Sequence, residues 1–125
     1  MDRVHVALKL AEHTPNVTGN GYSITWGFNG LIAPDAQMTF GYVVIEPGHS
    51  NPVHVHPTSE EVLYLISGEL EHSFNAEVVR MGPGDAIRVP AGVVHDARTI
   101  GSVPAVMIVC YSSANRDMEL ATRPT

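Results

Sequence analysis

The sequence has 125 residues and sets seven Lys plus Arg against thirteen Asp plus Glu, a formal net charge of -6 at pH 7. That length suits one domain around one core, and the acidic balance leaves no basic surface for a phosphate backbone, so nucleic acid is not an expected partner. No apolar run reaches the roughly 18 to 20 residues that span a bilayer, and Met1-Asp2-Arg3-Val4-His5 lacks a secretory hydrophobic stretch, so the expectation is a cytoplasmic protein with no membrane partner. Residues 1–20, with an apolar run from Val4 to Leu10 before Thr14-Pro15-Asn16, read as an N-terminal arm forming an edge or exchanged strand. From 21 to 112, runs rich in Val, Ile and aromatics recur at Met38 to Ile45, Val62 to Ile66, Asp85 to Val89 and Ala105 to Ser112. Between them stand Glu46-Pro47-Gly48, Ser67-Gly68, Gly82-Pro83-Gly84, Pro90-Ala91-Gly92 and Gly101-Ser102, which are turn signals. About ten strands follow from this punctuation. The only candidate for a helical turn or two is Ala114 to Leu120, in the 113–125 tail. Many short strands between Gly/Pro turns predict an all-β barrel or sandwich with little helix. Cys110 is the single cysteine, so no internal disulfide exists; its apolar run makes it a small buried hydrophobe rather than a nucleophile.

The chemistry concentrates in Pro52-Val53-His54-Val55-His56-Pro57. Side chains two apart on a strand share a face with Cα atoms about 6.5 Å apart, close enough for two imidazoles to converge on one ion. After Pro57-Thr58-Ser59, the parity that turns Leu63 and Leu65 inward also turns Glu61 inward and Glu60 outward. A further turn at Pro90-Ala91-Gly92 feeds His95 into another strand and offers a fourth ligand. Three imidazoles and a carboxylate suit one divalent transition ion (Fe, Mn, Ni, Zn or Cu) rather than calcium. Four protein ligands leave two octahedral positions open to substrate, water or dioxygen. The plainer reading of the His pair is a polar strand face without a ligand.

Glu61 is also a candidate catalytic base, as is His72, which alternates with Leu70 and Phe74; a lone histidine on such a face is more often structural. Tyr42, Leu63, Phe74, Ile87 and Met107 are candidate substrate-binding walls, and the lack of an Arg or Lys cluster beside the ligands favours a small apolar or aromatic substrate. His49 reads as an exposed loop histidine, His5 and His13 have no assigned role, and Arg98 has the parity that faces away from the ion.

Gly48, five residues, His54-x-His56, four residues, Glu61, six residues and Gly68 resemble the first motif of the cupin superfamily. Gly84, five residues, Pro90-x-Gly92, two residues and His95 resemble its second motif, which ends on asparagine where this chain has Thr99. The resemblance implies a jelly-roll β-barrel of about six to eight core strands, an ion near its centre and a homodimer. Cupins include dioxygenases, isomerases, cyclases, lyases, decarboxylases and non-catalytic binders, so fold likeness leaves the reaction open. The three-His, one-Glu set resembles that of cupin dioxygenases such as quercetinases. It implies a metal-dependent dioxygenase acting on a small organic substrate, with a non-redox cyclase, isomerase or lyase of secondary metabolism, or a non-catalytic small-molecule binder, as alternatives.

Overall fold

A computed structural model describes residues 6–124. Its strands are β1 (Val17–Gly19), β2 (Tyr22–Phe28), β3 (Thr39–Ile45), β4 (His54–Val55), β5 (Glu61–Ser67), β6 (Glu69–Phe74), β7 (Glu77–Met81), β8 (Ala86–Val89), β9 (His95–Ile100), β10 (Ala105–Tyr111) and β11 (Glu119–Leu120). The only helical element among the described residues is a 3-10 turn at Leu10–Glu12. Two antiparallel sheets result, ordered β1-β2-β3-β10-β5-β8 and β11-β4-β9-β6-β7. This is the all-β sandwich expected from the spacing of turns, and the jelly-roll type that the family resemblance implies. No helix among the described residues is long and apolar enough to cross a membrane.

The alternation of apolar residues dictates which faces meet. Val43 and Ile45 of β3, Leu63 and Leu65 of β5, and Met107, Val109 and Tyr111 of β10 turn inward from the larger sheet. Leu70, Met81 and Ala97 meet them from the smaller one. Burial of this apolar area is the main force holding the sheets together. The turn between β5 and β6 needs Gly68: its φ is +84°, and a Cβ there would stand 2.5 Å from the Pro104 carbonyl oxygen. Thr99, at the position where the motif has asparagine, is fully buried and donates from Oγ1 to the Ile45 carbonyl at 2.9 Å. The hydroxyl ties the sheets together locally, and the substitution leaves no polar atom stranded.

Two expectations meet the structure differently. Ala114 to Leu120 forms no helical turn; the segment bends at Ala114 and Asn115, continues without regular structure and ends in β11, which pairs with β4. Ala114, Met118 and Leu120 are too few to make an apolar helical stripe, and the open edge of β4 captures the end of the segment. In the N-terminal arm, Val17–Gly19 forms β1 at the edge of the larger sheet, opposite β2. Met1 to His5, with the start of the Val4 to Leu10 run, lie outside the described residues.

Candidate metal centre

His54 on β4 lies directly opposite His95 on β9, so neighbouring strands of the smaller sheet present two imidazoles side by side. His56 follows two residues on, and the turn carrying Gly92 is clamped to it by a 2.9 Å hydrogen bond from the Gly92 N–H to the His56 carbonyl. Glu61 opens β5 in the opposite sheet, paired with Val89 and Tyr111. The four side chains meet between the sheets, are all buried, and bring their ligand atoms within 4.8 Å of one another.

Each imidazole is oriented by a backbone carbonyl. The Nδ1–H of His54 donates to Pro52 at 2.6 Å, that of His56 to Asp117 at 2.7 Å, and that of His95 to Val93 at 2.9 Å. In the neutral ring this leaves Nε2 as a bare lone pair aimed inward. Nε2 of His56 and of His95 stand 3.2 and 3.1 Å from the same Glu61 oxygen, Oε1. Lone pairs facing a carboxylate oxygen repel one another unless a cation lies among them. His56 Nε2 is buried with no hydrogen-bond partner, so a metal ion would satisfy it. The donor set therefore fits a divalent transition ion.

The surrounding charges agree. Burial, followed by the charge of His95, pulls the His54 pKa down to about 4, which keeps this ring a neutral ligand. Burial pushes Glu61 upward, but the His56 and His95 imidazoles beside it outweigh burial and hold the carboxyl well below the ordinary carboxylate range. Burial first, then the Glu61 charge, raises the neighbouring Tyr111 phenol well above its usual value, so it stays protonated.

A slot of about 60 Å³ opens beside the cluster, lined by His54, Glu61, Leu63, Met107, Tyr111 and Arg116 among others. Of the expected wall residues, Leu63 and Met107 line it, whereas Tyr42, Phe74 and Ile87 do not. Tyr42 has the opposite parity on β3 and faces an outer cleft with Leu10 and His13. Ile87 sits opposite Leu63 on edge strand β8 and packs against the core from the side. Phe74 closes β6, half-buried, opposite His95. His72 also lies off the slot: fully buried, it stacks on His95 with ring centroids 5.7 Å apart and planes 9° from parallel. It therefore sits behind the His95 ring, on the side away from the slot. Arg98 is exposed, and Glu60 pairs with Arg88 at 2.7 Å on the surface, as parity required. His49 lines a separate surface cleft, and Cys110 is half-buried.

Tyr111 and Arg116 are among the lining residues that the sequence pattern did not single out. Tyr111 has the inward parity of Val109 and could have been found from it. Arg116 arrives on the irregular C-terminal segment, and no local pattern announces it.

Comparison with known proteins follows the same residues. The family model described as Cupin domain matches residues 41–111, which contain all four converging side chains. The chain is 38% identical over 84 residues to the Streptomyces glaucescens tetracenomycin polyketide synthase protein TcmJ, covering 67% of this chain and 52% of that one. It is 30% identical over 124 residues to Hordeum vulgare oxalate oxidase 2, covering 86% and 52%. Bacillus subtilis oxalate decarboxylase, in a structure concerned with its Mn(II) centres, superimposes with a TM-score of 0.81 at 22% identity over 90% of this chain and 31% of that one. The chain spans 35% to 52% of the length of several curated relatives that it matches. A match running from β3 to β10, over strands whose order and ligand positions agree with the motifs, means that this chain belongs to the cupin family.

Proposed function

We propose that the chain is a metal-dependent oxidoreductase of the dioxygenase kind, in which an oxygen of a small organic substrate reaches an ion held by His54, His56, Glu61 and His95. The observation that carries the reading is the buried set of three carbonyl-pinned imidazoles aimed at one carboxylate beside an open slot. When bound, a divalent transition ion supplies Lewis acidity and, with iron or manganese, a redox couple. The protein's own groups do the rest. The Pro52, Val93 and Asp117 carbonyls hold the imidazoles in one tautomer. Leu63, Met107 and Val109 keep bulk water from the reacting atoms, which strengthens every charge interaction among them. Glu61 carries the one negative charge of the set and is the group to accept a proton from a substrate hydroxyl or activated C–H.

The likeness to oxalate oxidase 2 supports oxidative chemistry, and the Mn(II) centres of the Bacillus structure support manganese as one candidate ion. The likeness to TcmJ favours a second reading, a non-redox cyclisation or isomerisation in secondary metabolism. A second copy of the chain is the proposed partner, supported by the apolar outer face of β5. The deciding experiment measures metal content and then oxygen uptake by Fe-, Mn- and Ni-loaded protein with hydroxy acids, diketones and catechols. Metal-dependent uptake is the expected result. Turnover with no oxygen consumed selects the second reading, and a purified chain that retains no metal overturns both.

A further inference from the structure

Arg116 lines the slot, and on its other side an outer cleft with Trp26, and has no counter-ion among the described residues. Arg80, Arg88 and Arg123 each face a carboxylate, but Arg116 pairs with none among the described residues. Its Nε is buried and has no hydrogen-bond partner. The guanidinium carbon lies 4.9 Å from the Trp26 ring centre and 5.2 Å from that of Tyr111, so two aromatic rings hold it in place. Aromatic faces satisfy the charge of a guanidinium without using its N–H groups, which remain available to an acceptor.

The backbone around Arg116 is also restrained. Asp117, the next residue, accepts the His56 Nδ1–H through its carbonyl and a hydrogen bond at 2.7 Å from Thr58 through its carboxylate. Two residues before Arg116, the Ala114 carbonyl accepts from the Gly30 N–H at 2.8 Å. The segment that orients a metal ligand thus delivers the arginine to the same slot.

We infer that Arg116 is the specificity-determining residue of the slot and selects a small organic acid, binding its carboxylate while another oxygen of the same molecule points to the His54, His56, Glu61 and His95 cluster. The inference rests on the metal-site reading above and narrows its substrate class. Two further observations support it. A divalent ion plus Glu61 plus Arg116 leaves the slot with net positive charge inside an acidic protein, an arrangement that favours an anion. The slot volume of about 60 Å³ is room for only about four water molecules at ~15 Å³ each, which suits an acid of a few heavy atoms and not a polycyclic substrate. The acid differs from the apolar or aromatic substrate that the lack of an Arg or Lys cluster beside the ligands favours in the sequence.

The test compares lactate with lactamide, its neutral isostere, by titration calorimetry and by the fluorescence of Trp26, the single tryptophan. Metal content is measured separately on the same samples. Metal-loaded wild type is expected to bind lactate at least ~10-fold more tightly than lactamide, as charge-assisted hydrogen bonds require. Arg116→Gln is expected to lose that preference while keeping its metal. Equal binding of the two probes by the wild type, no binding of either, or an undiminished preference in Arg116→Gln overturns the inference. Arg116→Lys, which keeps the charge and the stem, covers a folding failure of the first variant: a lactate Kd at least ~5-fold weaker supports the role of the planar fork, and an unchanged Kd overturns it. A wild type that holds no metal would sink the metal reading, while a lactate-dependent change in Trp26 emission, lost in Arg116→Gln, would still support the arginine.

Discussion

Glu61 and His72 are both buried beside His95, yet their surroundings assign them different work. Glu61 points an oxygen at two imidazole lone pairs, so its neutral isostere should keep the pocket's shape while removing its charge and its basicity. Glu61→Gln is expected to reduce turnover by at least ~100-fold, in the range of a lost acid–base group, with a smaller loss of bound metal. Metal analysis beside steady-state rates measures the two together, and equal losses would mean that Glu61 is only a ligand. For His72, burial is the first cause of a pKa lowered from 6.5 to about 4. The folded-state value lies below the unfolded one, so the unfolded chain binds the extra proton first as pH falls. Stability of the metal-free protein should therefore be full above about pH 6.5 and decline as pH falls toward about 4, by up to ~3 kcal/mol from this group. Buried His54 adds a decline of the same sign. Urea midpoints taken across that window in wild type and His72→Leu would measure the His72 share as a shallower slope in the variant; identical slopes would contradict it.

At the scale of elements, the strands and the convergence of His54, His56, Glu61 and His95 were readable because β-structure writes its period locally. Met38 to Ile45, expected as a strand, is β3 within one residue, and Ala105 to Ser112 is β10 with the same precision. The parity that separates Glu61 from Glu60 holds in β5, whose burial alternates along its length. The C-terminal segment was illegible for the complementary reason. Its course depends on the β4 edge, on the His56 Nδ1–H and on Thr58, all more than fifty residues away in sequence. It nonetheless fixes a ligand. Asp117→Ala deletes the side chain that accepts from Thr58 and should loosen the carbonyl beneath His56. Metal affinity is expected to fall about 10-fold, the low end for loss of an outer partner of a ligand, while the far-ultraviolet spectrum of the strands stays unchanged. Competition with a chelator would measure this, and wild-type affinity in Asp117→Ala would show that β11 pairing alone holds the segment.

For the whole molecule, the two faces of β5 lead opposite lives. Glu61, Leu63 and Leu65 point into the sandwich and are nearly fully buried, while Val62, Tyr64 and Ile66 point outward at 43%, 46% and 42% exposure. Three large side chains in a row on one strand continue an outer face whose neighbours on β10, Val106 and Ile108, are themselves half-buried and apolar. Contiguous apolar surface of this kind is unusual on a lone small domain and marks a contact with another molecule. The second copy proposed above would cover it by self-complementary packing about a twofold axis. Sedimentation is expected to give twice the 13.5 kDa chain mass for the wild type. Tyr64→Glu, which places a charge at the centre of the face, should sediment at the mass of one chain, because burying an unpaired carboxylate costs more than the contact returns. Its metal content should be unchanged, since Tyr64 and the ligands lie on opposite sides of the sheet. A variant that remains a dimer would move the interface elsewhere, and one that loses both partner and metal would mean that the site is built only when two copies meet.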